Sequence, residues 1–227
     1  MSVTYRKLDA KNDIDFNLFL AMENHLDDYL KTNKSEIDLT KKHLWTRVHM
    51  GAVEFLDELV PGKDTTEFRK QLQIMPDEVC YVAEENGEPI GYVVYLNYWC
   101  ENGTRLGAEY GNINAILVKD GYKGTDVAFK LLHIALDDLI KNGKTKITMT
   151  VQQDNPNRFL HFAMADTLLS QNETIRRDGS KTISYDLLIS NAEKIAKMSF
   201  LELGKRAVKT RRKILKNDLI EPQFIVD

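Results

Sequence analysis

The sequence predicts a mixed α/β fold, and three observations carry that expectation. Apolar residues recur at helical spacing through the first third of the chain, and from Glu78 the period changes to that of strands. Asn86-Gly87 then separates two β-rich runs, the strongest short hairpin signal, because both turn positions need positive φ. Further on, an apolar strand, a loop with two glycines, an amphipathic helix and a second strand follow one another, the order of a right-handed crossover between parallel strands.

Taken in order, residues 3–8 alternate as a first strand. Phe16, Leu18, Phe19, Leu20, Met22, Leu26 and Leu30 stand at largely helical spacing over 13–30. A second helix is expected over 40–59, with Leu44, Val48, Phe55 and Leu59 on one stripe and Pro61-Gly62 as its stop. A short helix over 65–74 ends before Met75-Pro76. The hairpin strands follow, with Asn102-Gly103 closing the second, and residues 108–118 make a third antiparallel strand. After the loop of residues 119–124 a helix runs over 125–141, capped by Asn142-Gly143. Residues 146–151 form the crossover strand, a helix runs from Pro156 to Leu169, and a strand over 183–190 follows the Asp178-Gly179 turn. The stretch from Asn191 to Leu219 reads as one long helix, with Ile195, Met198, Leu201, Val208, Leu215 and Leu219 along a stripe.

Length and composition bound the function. The 227 residues suffice for one large domain or two small ones, and 43% hydrophobic residues with only 5 Pro and 12 Gly exclude a disordered or collagenous chain. No apolar run approaches the roughly 20 residues that span a bilayer, and the first residues lack a signal pattern, so a soluble, cytoplasmic protein without membrane attachment is expected. Cys80 and Cys100 cannot build a disulfide framework, and the five His make no metal-ligand pattern, so no metal is expected. Charge is uneven. Nine basic residues and two acids between Asn191 and Asn217 give that segment +7, which leaves −10 for the rest.

The stretch from Tyr81 to Leu188 resembles the GNAT superfamily of acyl-CoA-dependent N-acetyltransferases. YVAEENGEPIGYVVY is similar to its central hairpin, INAILVKDGYKGTDVAFKLL to its cofactor motif, and NPNRFLHFA to its later helix. The resemblance implies a central, twisted, mostly antiparallel sheet flanked by helices over residues 1–188, with a basic C-terminal helical extension over 189–227. It also implies transfer of an acetyl group from acetyl-CoA to an amine, carried by a small molecule or a peptide, by direct attack on the thioester.

Residue by residue, the family's strand before the loop lends backbone groups to the pantetheine arm, which falls here on Ile116, Leu117 and Val118. Its pyrophosphate segment, of pattern Arg/Gln-x-x-Gly-x-Gly/Ala, falls on Gly121, Tyr122, Lys123, Gly124, Thr125 and Asp126, with Val127 and Ala128 continuing into the helix. The family's Asn near the head of the later helix corresponds to Asn155, and the Tyr seven residues on to Phe162. There are departures: Gly121 for Arg or Gln, Asp126 for Gly or Ala, Phe162 for the proton-donating Tyr, and Asn112 and Asn114 where a base projects. A carboxylate at a helix N-terminus repels a pyrophosphate or replaces it as a cap.

Substitutes for the missing acid and base are Glu109, on the same strand, and His161, which titrates near neutrality, with Tyr110 and Tyr122 flanking. Each also reads as an ordinary surface or packing residue. Tyr95, Asn97, Tyr98 and Trp99 end the hairpin strand where such folds line the acceptor cleft, and aromatic faces attract ammonium groups. The alternative function is a GNAT-like binding or regulatory protein without transferase activity. For the basic C-terminal helix the readings are docking on the body, homodimerisation, an acidic partner, or nucleic-acid phosphates.

Overall fold

The computed structural model describes residues 2–31, 39–74, 78–98, 100–101, 104–155, 157–175 and 180–216. In chain order the first elements are β1 (Val3–Lys7), α1 (Asp13–Lys31), α2 (Leu39–His49), a 3-10 turn (Val53–Phe55), α3 (Leu56–Leu59) and α4 (Thr66–Ile74). Strands β2 (Glu78–Glu85), β3 (Glu88–Leu96), β4 (Cys100–Glu101), β5 (Thr104–Arg105) and β6 (Tyr110–Val118) come next. Then follow α5 (Val127–Lys141), β7 (Lys146–Gln152), α6 (Arg158–Met164), β8 (Thr167–Ile175), β9 (Lys181–Ile189), α7 (Ala192–Ala196) and α8 (Phe200–Lys216).

Seven strands make one sheet in the order β1-β2-β3-β6-β7-β9-β8, and β4-β5 form a separate ribbon. The pairs β1 with β2, β2 with β3, β7 with β9 and β8 with β9 are antiparallel, and β6 with β7 is parallel. The expected mixed, mostly antiparallel sheet with a crossover is what the chain forms. Among the described residues no helix is long and apolar enough to cross a membrane.

The chain divides into two compact units: Met1–Asn97 with Ala115–Leu131, and Tyr98–Asn114 with Leu132–Asp227. In the first, Asn86 (φ 54°) and Gly87 (φ 81°) make the expected tight turn between β2 and β3. Leu8, Phe19, Cys80, Val82, Tyr92 and Val94 pack as one apolar cluster, so Cys80 is a buried structural thiol. The side chain of Cys100 lies outside the described residues. Asn12 caps α1, its Oδ1 accepting from Ile14 N at 2.9 Å. The guanidinium of Arg47 lies between the Phe16 and Phe55 rings, 4.1 and 4.2 Å from their centroids, and binds Asp13 at 2.7 Å.

The single helix expected over 40–59 is broken. α2 stops at His49, Gly51 takes φ 91°, and Ala52 is fully buried as the chain turns into the 3-10 segment and α3.

In the second unit Ile147, Met149, Val151, Phe162, Tyr185, Leu187 and Ile189 form the core. Two expectations need correction there. The helix from Pro156 to Leu169 ends at Met164, and Thr167–Ile175 is a strand. Ala165 is already extended (φ −74°, ψ 154°), and β9 supplies the ladder that outweighs helical periodicity in an apolar stretch. Asp166 fixes the change of direction, its N–H donating to Leu188 O at 3.0 Å and its carboxylate accepting the Ser190 hydroxyl at 2.6 Å.

The long C-terminal helix is two helices. Asn191 caps α7 through Lys194 N at 2.9 Å. Ser199 and Glu202 open α8 as a capping box: Glu202 accepts from Ser199 N at 2.8 Å, and Ser199 Oγ accepts from Glu202 N at 3.3 Å. The turns at Asn102-Gly103 and Asp178-Gly179, the position of Pro156, and the end of the C-terminal helix beyond Lys216 fall outside the described residues.

Candidate functional site

In the first unit the loop between β6 and α5 is built by turns. Lys119 N donates to Ile90 O at 2.8 Å, Tyr122 N to Lys119 O at 3.0 Å, and Thr125 N to Tyr122 O at 3.2 Å. The Thr125 hydroxyl donates to the same Tyr122 carbonyl at 2.6 Å. Gly121 and Gly124 take φ of 93° and 82°, which an L side chain adopts only under strain, and a Cβ on either would meet nothing within 4 Å among the described residues. The N–H groups of Gly121, Lys123, Gly124, Asp126 and Ala128 have no acceptor among the described residues, and Val127 N reaches only Thr125 Oγ1, at 3.4 Å. Together with the N-terminus of α5 they form a concentration of donors.

The charges around this loop are internally paired. Asp126 points along α5 to Lys130 Nζ, 2.7 Å away, and none of the loop N–H groups is capped by it. That partner raises the Lys130 ammonium above its ordinary pKa. Lys123 binds Asp120 at 2.5 Å, and the contact holds the Asp120 carboxyl below the usual range. Tyr122 anchors the loop to the end of β2, its hydroxyl donating to Glu85 Oε2 at 2.5 Å, and the bond raises the phenol pKa.

Ile116 and Val118 are half-buried, and Leu117 is 45% exposed. The β6 ladder to β7 covers only Tyr110 to Ile113, so residues 115–118 carry backbone groups on that edge that are outside it. A cleft of about 620 Å³ in this unit is lined by Met22, Pro89, Ile90, Leu117, Lys119 and Lys123, among others.

The second unit holds the remaining expected site residues. Asn155 Oδ1 accepts from Asn157 N at 2.8 Å and so shapes the entry to α6, while its Nδ2 has no acceptor among the described residues. Phe162 is 3% exposed, edge-on to Tyr185 with centroids 5.3 Å apart. His161 Nδ1 lies 3.1 Å from Asn157 O, so it carries the ring proton and leaves Nε2 as the basic nitrogen. Burial pushes this imidazole below its ordinary pKa, and the Asn157 bond opposes that in part. Glu109, in the turn before β6, binds Lys146 at 3.4 Å. Its carboxyl is held below the usual range by a hydrogen bond to its own backbone and by Lys146. Asn112 is buried and tied to Thr148 Oγ1 at 3.0 Å, a structural residue. Among the described residues no group of His, Cys, Asp and Glu could hold a metal ion.

A family model described as the acetyltransferase (GNAT) family matches residues 45–161, just over half of the chain. The chain belongs to the GNAT acetyltransferase family. No curated protein sequence matches it. Among solved structures it is similar to yncA from Salmonella typhimurium with its cofactor acetyl-CoA, at 18% identity and a TM-score of 0.52, covering 83% of this chain and 93% of that one. It is also similar to an N-acetyltransferase from Staphylococcus aureus Mu50, at 14% identity and a TM-score of 0.50, covering 85% and 99%. At these identities the likeness concerns the fold.

Within this GNAT chain, the first unit brings Ile116, Leu117, Val118 and the segment from Gly121 to Ala128 together around one loop. The second gathers Asn155, His161 and Phe162 at α6 and keeps Glu109 with Lys146. Sequence reasoning missed two contacts. Tyr185 against Phe162 joins a helix to a strand 23 positions later. Glu85 under Tyr122 spans 37 positions. Neither spacing carries a local signal. The Lys130 partner of Asp126 was legible, because it stands four residues on along a helix.

Proposed function

We propose that this protein transfers an acetyl group from acetyl-CoA to an amine, by direct attack of the amine on the thioester. The observation that carries this reading is the row of N–H groups at Gly121, Lys123, Gly124, Asp126 and Ala128 leading into the positive end of α5, the donor set a pyrophosphate needs.

The residues of the loop fit such a group. On this reading the family pattern can also be laid two residues later, on Lys123 to Ala128, ahead of and into α5. It then ends in the small Ala128 and has two departures, the cation Lys123 for Arg or Gln and Asp126 for Gly. The Asp126 carboxylate is neutralised by Lys130, so the loop donors remain available. The backbone edge of Ile116, Leu117 and Val118 suits the pantetheine amides.

When bound, acetyl-CoA supplies the electrophilic carbonyl and a thiolate leaving group. On this reading the neutral His161 takes the proton released as the amine nitrogen bonds to carbon and the carbon–sulfur bond breaks. Phe162 has no proton to give the thiolate. Tyr185, whose ring packs edge-on against Phe162, is the acid we assign in its place. Glu109 is paired with Lys146, so its charge is answered within the chain and it is assigned no step.

A second reading, a GNAT-fold binding or regulatory protein without transferase activity, draws on the burial of Phe162 at the position of the family's Tyr. Calorimetric titration with acetyl-CoA, followed by thiol-release assays across amine classes, separates the two. Micromolar binding with acceptor-dependent thiol release is expected. Binding without release under any acceptor class favours the second reading, and absence of binding overturns the first.

A further inference from the structure

α8 carries two faces, and α6 uses only one. Leu203 and Thr210 are buried, and Ala207 and Ile214 are half-buried on the same side. At 100° per residue Leu201, Val208 and Leu215 fall on the far side, in line, and they are 65%, 50% and 58% exposed. Lys205, Lys209 and Arg212, all exposed, run directly beside them. Lys209, Arg211, Arg212 and Lys213 have no ion-pair partner among the described residues; Arg211 only lies over the Phe159 ring, 5.8 Å from its centroid.

Apolar residues seven apart are the seam of a coiled coil, and the positions between them complete it. With Leu201, Val208 and Leu215 in one heptad position, α8 supplies one of the two apolar rows of such a seam; Gly204 and Arg211 stand in the other, and Lys205 and Arg212 flank it. A Cβ at Gly204 would meet nothing within 4 Å among the described residues, so the helix surface there is open. We propose that this face docks an acidic amphipathic helix of a partner protein, with a bulky apolar residue over Gly204 and carboxylates against the flanking Lys205 and Arg212.

Other occupants fit less well. A second copy would set these cations against themselves. Nucleic acid would engage the cations and leave Leu201, Val208 and Leu215 in water. A lipid surface calls for an apolar face broader than this one-residue stripe.

The test uses the full chain and a fluorescent three-heptad peptide with Leu at both seam positions and Glu at the flanking ones. Anisotropy should report micromolar binding that weakens as salt rises. Val208→Glu, an exposed site whose melting temperature should be unchanged, should abolish it, as should replacing the peptide's Glu by Lys. Failure to bind, or binding that Val208→Glu leaves intact, overturns the proposal. So does any of three alternatives: self-association lost in Val208→Glu, displacement of the peptide by duplex RNA or anionic vesicles, or binding seen only after deletion of residues 217–227, which would make that acidic segment the occupant.

Discussion

The carboxylate of Asp126 lies 2.7 Å from Lys130 Nζ, one helical turn along α5, and on the proposed function this pair leaves the loop ahead of it open to an anion. An Asp at the entrance to a helix normally caps the N–H groups with its own side chain. Here Lys130 draws the carboxylate away. Lys130→Ala is expected to return the charge to the loop and weaken acetyl-CoA binding by roughly tenfold. Asp126→Gly should bind at least as tightly as the natural sequence. Calorimetry on both variants checks the pair, and equal affinities for Lys130→Ala and the natural protein would show that Asp126 has no influence on the loop.

Tyr122 holds the loop to Glu85, so Tyr122→Phe should raise the KM for acetyl-CoA severalfold with kcat nearly unchanged. The hydrogen bond to Glu85 raises its folded pKa above the ordinary phenol value of about 10. The stability it contributes is therefore fully present below pH 10 and lost only as pH rises further, through the raised folded value. Denaturant melts of the natural protein and Tyr122→Phe should run parallel from pH 6 to 9 and converge above that.

His161 and His133 both have their pKa lowered by burial from the ordinary 6.5. In each the unfolded state binds the proton more readily, so stability falls as pH drops below 6.5. Thermal melts from pH 5 to 8 should show this acid loss, and His161→Asn should flatten it in part. An unchanged profile would mean that His161 is solvated.

Phe162 packs edge-on to Tyr185 in the core of the second unit. Phe162→Ala should cost about 3–5 kcal/mol by urea unfolding, the usual range for emptying a buried aromatic site. Tyr185→Phe keeps the ring and removes the proton. On the proposed function it should lower kcat while leaving acetyl-CoA affinity intact, and a kcat equal to that of the natural sequence would remove Tyr185 as the acid.

At the head of α8, Ser199→Ala deletes half of a capping box and should destabilise the protein by about 1 kcal/mol. Chemical denaturation measures it directly. A value near zero would mean that Glu202 alone sustains the helix start.

Much of the fold was legible because its signals are local. The Asn86-Gly87 turn demands positive φ, and α1, α4 and α5 carry their own periodicity and stops. Two local signals were present but unread: Gly51, which ends α2, and the Ser199-to-Glu202 spacing, which begins α8. The candidate loop was legible as a turn because its glycines mark it, Gly121 and Gly124 taking positive φ.

By itself the sequence determined the mixed sheet, the hairpin, the crossover and the basic C-terminal segment, because each depends on periodicity or turn chemistry within a few residues. Tertiary structure alone decided that Thr167–Ile175 is a strand, because its stability comes from a ladder with β9 rather than from its own residues. It likewise decided that Tyr185 meets Phe162, that Glu85 anchors Tyr122, and which face of α8 is spent on α6. These are contacts between distant positions, and no local energy term in the chain specifies them.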